Sequence, residues 1–146
     1  MKTAAILIAF LPLLATARLG ETSDELRARF GAPVAKTING PVYEKAGMRI
    51  TATGYQGRCI GIRYESKGAL ISDAQIKQLL ESNNLGGGWV QRPRGHGDLS
   101  TSAWDSRDRR YTAVYAGTVL SFTDSKLSRE KQSAEEQARA NATAGF

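Results

Sequence analysis

Two stretches of this chain carry the same instructions: start a helix, stop it, and continue as alternating strands. That repetition limits the folds open to it. Thr22-Ser23-Asp24-Glu25 has the Thr-x-x-Glu spacing in which hydroxyl and carboxylate satisfy the free backbone N–H groups of a first helical turn. Leu26 and Phe30 then lie four apart on one helical face, and Gly31 followed by Pro33 stops the helix. About fifty residues later Ser72-Asp73-Ala74-Gln75 repeats the cap, Ile76, Leu79 and Leu80 form the apolar stripe, and Asn83-Asn84 with Gly86-Gly87-Gly88 break it.

Each helix signal leads into a meander. The first reads as Val42-Tyr43-Glu44, a turn at Ala46-Gly47, a strand over 48–55, a turn at Gln56-Gly57, and a strand over 58–65. The second reads as Ala103-Trp104-Asp105, a turn around 106–108, a strand over 110–115, a turn at Ala116-Gly117, and a strand over 118–124. Tyr-x-Gly recurs as Tyr55-Gln56-Gly57 and Tyr115-Ala116-Gly117. Met48, Ile50 and Ala52 alternate with Arg49, Thr51 and Thr53, as do Ile60, Ile62 and Tyr64 with Cys59, Gly61 and Arg63, the pattern of a sheet covered on one face. The expectation is an α+β fold of tandem αβββ units, an antiparallel sheet with two helices on one face. Neither unit buries enough apolar surface alone, so the two must share a core.

Residues 1–17 read as a removable leader. Lys2 gives a positive start, 4–14 are apolar apart from Pro12, and Ala15-Thr16-Ala17 is a small-x-small cutting pattern, so the mature chain is expected to begin at Arg18. The apolar run falls short of the roughly 20 residues that cross a bilayer, so no transmembrane segment is expected in the mature chain. Arg18 also stands where a bacterial lipoprotein carries its acylated cysteine, so no lipid anchor is indicated. The expected organisation is a leader over 1–17, a tandem domain over 18–124, and a polar helical or disordered tail over 125–146. The expected location is periplasmic or secreted. Asn141-Ala142-Thr143 matches a glycosylation acceptor, which matters only in a eukaryotic secretory pathway.

The chain carries 20 basic and 14 acidic side chains; losing Lys2 with the leader leaves 19 against 14, a mild positive bias. Such a bias fits a solvated surface with no partner or one that meets anionic surfaces such as phospholipid head groups or acidic glycans, and export with the mixed charge pattern argues against nucleic acid. Cys59 is alone, which rules out a disulfide within the chain. Its apparent strand predicts a packed, inert thiol.

The run from Gly20 to Pro33, followed by a Tyr-containing strand and a hairpin, resembles the "G-x-[ST]-x-x-[EQ]-hydrophobic … G-x-P" opening of small exported bacterial proteins. It is similar to the SmpA/OmlA family of envelope proteins, and the tandem arrangement resembles the β-lactamase-inhibitor-protein-like fold. Leu79-Leu80-Glu81-Ser82-Asn83 with Gly88-Trp89 looks like a segment of uncharacterised secreted families. These resemblances imply protein binding rather than catalysis.

Several candidate sites follow from the residues. Arg92, Arg94, Arg107, Arg109 and Arg110 beside Trp89, Trp104 and Tyr111 are expected to form a basic rim around aromatic anchors, suited to another envelope or secreted protein or to an anionic glycan. Ion pairing with Asp98, Asp105 and Asp108, and two tryptophans in the core, is the competing expectation. Arg49, Thr51, Thr53, Cys59, Arg63, Arg110 and Thr112 are expected on the open sheet face. The rival is a small thiol enzyme using Cys59 as nucleophile, His96 as base and Asp98 as orienter. One histidine and one cysteine cannot complete a zinc set, the aspartates lack calcium-loop spacing, and the three glycines lack the Gly-Lys-Ser/Thr of a phosphate loop, so no metal or cofactor is expected.

Overall fold

The computed structural model describes residues 18–93 and 101–144. Along the chain run α1 (Ser23–Phe30), β1 (Ala35–Thr37), β2 (Gly40–Lys45), β3 (Met48–Tyr55), β4 (Arg58–Ser66), α2 (Asp73–Ser82), β5 (Trp89–Gln91), β6 (Thr101–Ser106), β7 (Tyr111–Ala116), β8 (Val119–Asp124) and α3 (Ser125–Ala144).

Both helix starts form where the capping pattern sets them. Thr22 Oγ1 accepts the Glu25 N–H at 3.3 Å and Glu25 Oε2 accepts the Thr22 N–H at 2.7 Å. Ser72 and Gln75 repeat the exchange at 3.3 and 3.0 Å. The first two hairpins also turn as read. Ala46 and Gly47 (φ 51° and 75°), then Gln56 and Gly57 (φ 50° and 74°), are left-handed pairs whose twist matches that of the flanking strands. The last hairpin differs by one residue. Ala116 pairs with Val119, so Gly117 and Thr118 make the turn. Tyr55 therefore ends its strand, whereas Tyr115 lies one pair deeper, opposite Leu120.

The strands form one antiparallel sheet in the order β1-β2-β3-β4-β8-β7-β6-β5. Two meanders meet along β4 and β8, where Ile62 faces Phe122 and Tyr64 faces Leu120. Each meander has four strands rather than the expected three. The additional ones, β1 and β5, are three-residue strands at the two outer edges. Residues of β1 are all exposed, so no alternation marked them.

Leu26 of α1 and Ile76 and Leu79 of α2 are buried in one cluster with Ile50, Ala52, Ile62, Tyr64, Ala113, Leu120 and Phe122. Tyr64 meets Phe122 edge-on at 6.0 Å, and Phe30 lies 5.4 Å from Tyr43. Cys59 joins this cluster, contrary to its expected place on the open face. A bulge is the cause. Thr53 pairs with Gly61 but Gly54 pairs with Cys59, so Ile60 is an extra residue and strict alternation breaks there.

There are three helices in the described chain, where the sheet was expected to carry two plus a tail that was either helical or disordered. The tail forms α3, which touches β3, β4, β7 and β8 and has no buried residue. It starts on the side of Thr112, whose hydroxyl lies 2.9 Å from that of Ser125, while the flanking Tyr111 and Ala113 are in the core cluster. The face expected to be open is therefore partly occupied. Among the described residues no helix is long and apolar enough to cross a membrane.

Candidate functional site: an arginine-lined groove beside β5 and β6

The groove is built by the short strand β5, its partner β6 and the turn into β7. Val90, Gln91, Arg92, Pro93, Asp105, Ser106, Arg107 and Arg109 line a hollow of about 800 Å³. Val90 pairs with Asp105 and Gln91 with Trp104; the Arg92 N–H extends this ladder to the Ala103 carbonyl at 2.8 Å.

The turn that presents Arg107 and Arg109 is tightly held. Ser106, 2% exposed, donates its hydroxyl to Asp108 Oδ1 at 2.5 Å and accepts the Tyr111 N–H at 2.9 Å. Asp108 Oδ1 also accepts the Arg110 N–H at 3.0 Å. The Ser106 hydroxyl first, then that N–H, hold the Asp108 carboxyl below its usual range. Below the turn, the Arg107 and Asp108 N–H groups donate to the Gly88 and Gly86 carbonyls at 3.0 and 3.2 Å. A Cβ at Gly86 would stand 2.5 Å from both Asp108 Oδ1 and Ser106 Cβ, so only glycine admits this approach. Gly87 and Gly88 (φ 78° and 113°) then turn the chain so that Trp89 reaches the core.

Charge in the groove is positive. The Arg92 Nε and Nη2 groups both bind Asp105, with Nε to Oδ2 at 2.7 Å, and this contact holds the Asp105 carboxyl below its usual range. With Arg92 half-exposed, the pair contributes about 0–1 kcal/mol to stability. Arg92 thus balances Asp105. Arg107 and Arg109 form no salt bridge among the described residues and are exposed.

The structure separates the expected rim. Arg92, Arg107 and Arg109 share the groove. Trp89 packs 5.8 Å from Phe122 and donates its indole N–H to the Leu80 carbonyl at 2.8 Å, so it is a core anchor. Trp104 packs against the core, and Tyr111 is 9% exposed within it. Arg110 binds Asp124 Oδ2 through Nε and Nη2 at 3.0 and 2.9 Å and lies over the Tyr111 ring. Among the described residues no aromatic side chain lines the groove, because Trp89, Trp104 and Tyr111 pack into or against the core. Arg94, His96 and Asp98 lie outside the described residues.

A second, smaller hollow of about 260 Å³ gathers Arg49, Thr51, Thr53 and Arg63 of the expected open face, with Thr37, Asn39, Val42 and Glu65. Arg63 is 3.8 Å from Glu65. Cys59 belongs to neither hollow. It is 3% exposed, and burial pushes its thiol up to about 12, which opposes thiolate chemistry at neutral pH. Sequence reasoning named Asn83 only as a helix breaker, without its buried contact to Leu19, and missed Asp124 and the Glu21–Arg29 pair. Asn83 had a usable signal, a polar residue at a helix end; the others depend on chain folding.

Comparison of the chain with protein-family models, with characterised proteins and with solved structures returned no match.

Proposed function

We propose that this chain is an exported, non-enzymatic binding module, periplasmic or secreted from a bacterium after removal of residues 1–17, which holds an acidic segment of another envelope or secreted protein or an anionic glycan. The observation that carries the reading is the groove beside β5 and β6, where a rigid turn projects Arg107 and Arg109 next to the Arg92–Asp105 pair. Two guanidinium groups on a preorganised support lose little entropy on meeting carboxylates or sulfates. Burial of Cys59 opposes the thiol-enzyme alternative.

The repeated order of one helix and four strands supports the further proposal of a duplicated unit sharing one core, its two capped helices on the same face. The differing offsets of the two Tyr-x-Gly turns weigh against counting those turns as the repeat's marker.

Calorimetry of the mature chain with a polyglutamate peptide and with a sulfated or uronate-rich oligosaccharide tests the groove. Binding should weaken at least tenfold in Arg107→Ala plus Arg109→Ala and fall with added salt. Equal affinity in the double variant would remove the groove as the site.

A further inference from the structure

The residues just after the leader are woven into the domain, which gives leader removal a structural consequence. Arg18 is exposed and Leu19 is 3% exposed, so the chain passes from solvent to core within one step. The Leu19 N–H donates to Asn83 Oδ1 at 3.2 Å, and Asn83, fully buried, donates from Nδ2 to the Leu79 carbonyl at 3.1 Å. The Gly20 N–H binds the Cys59 carbonyl at 2.7 Å, and the Cys59 N–H binds the Glu21 carbonyl at 2.8 Å. These bonds fix the Arg18 backbone nitrogen 3.1 Å from Glu21 Oε2, while the Arg29 guanidinium binds Oε1 of the same carboxylate. The Glu21 side chain is only 11% exposed.

In the precursor the Arg18 nitrogen is an uncharged amide. Hydrolysis after Ala17 adds one water across the Ala17–Arg18 bond, leaving a carboxylate on Ala17 and an α-ammonium on Arg18. We infer that this new α-ammonium docks on Glu21, so that cutting the leader converts a single amide hydrogen bond into an ion pair and locks residues 18–21 against β4 and the C-terminal end of α2. The inference rests on the export reading above. A partly buried carboxylate gains more from a charged donor than from a neutral one. Because the docked amine is favoured in its charged form, the gain is present below the usual α-amine range of about 7.7–8.0 and is lost as pH rises through the raised folded value.

Two measurements keep the inference separate from its foundation. N-terminal sequencing of the exported protein should return Arg18 first; any other start overturns both the cut and the docking. The chain beginning at Arg18 is then compared with the same chain acetylated selectively at the α-amine, in wild type and in Glu21→Gln. At pH 6.5 acetylation should lower the melting temperature of the wild type by about 3–5 °C, leave Glu21→Gln unchanged, and lose its effect above pH 9. A wild-type shift below about 1 °C, or an equal shift in Glu21→Gln, overturns the docking while leaving export intact.

Discussion

Asp124 is the joint between the sheet and α3, and its two oxygens divide the work. Oδ1 accepts the Lys126 and Leu127 N–H groups at 3.1 and 3.0 Å, capping the helix, while Oδ2 takes the Arg110 guanidinium. Beyond its first turns α3 has little else to hold it. Leu127 is its one large apolar side chain, no residue is fully buried, and it carries two Lys-to-Glu i,i+4 pairs at 4.0 and 3.8 Å, in the less favourable orientation. Replacing Asp124 by alanine removes a cap worth about 1 kcal/mol, about a fivefold fall in the helix equilibrium. A 20-residue polar helix is only marginally stable in water, so that loss is enough to melt most of it. Because α3 supplies more than half of the described helical residues, the far-UV circular dichroism at 222 nm should drop by a comparable share of its helical part. The core contains no α3 residue, so near-UV aromatic signals should persist and the melting temperature of the sheet should fall only by about 3–5 °C, from the loss of the Arg110 partner. Asp124→Asn separates the two roles. An amide oxygen caps as well as a carboxylate, but its nitrogen would face the Arg110 donors, so the helix should survive while the modest sheet destabilisation remains. Unchanged dichroism in Asp124→Ala would show that α3 is held by something other than this cap.

Gly86→Ala should force the turn below Arg107 and Arg109 away from its support, lowering stability by about 1–3 kcal/mol in urea titration and weakening polyglutamate binding together with it. Wild-type stability in that variant would contradict the close packing. Cys59 should resist thiol reagents in the native protein and react only on unfolding. Burial raises its folded value to about 12, above the ordinary thiol range, so the unfolded chain releases its proton first as pH rises and stability should decline between about pH 9 and 12. Rapid native labelling at pH 8 would refute the buried placement.

Much of the architecture was legible before folding was considered, because it depends on near neighbours. The two capping boxes need residues three apart, Ala46-Gly47 and Gln56-Gly57 need only their own left-handed backbone, and Met48, Ile50 and Ala52 show their buried side by period alone. Local information ran out at the last hairpin, where Gly117 serves as the first turn residue rather than the second, and at β1 and β5, too short to show a period.

The rest belongs to contacts between distant parts of the chain. Residue types alone named Arg92, Arg107 and Arg109 as a basic group with Trp89, Trp104 and Tyr111, yet only packing could send the rings inward and leave the guanidinium groups on the surface. A one-residue bulge reassigned Cys59, and pairing of β4 with β8 joined the two meanders into one sheet. Asn83 is buried where Leu19, sixty-four positions earlier, donates its N–H to it, a contact that local sequence does not reveal. Helix starts, turns and strand alternation are set by energies that act over a few residues, whereas burial, pairing partners and charge balance are shared by segments that meet only in the folded state.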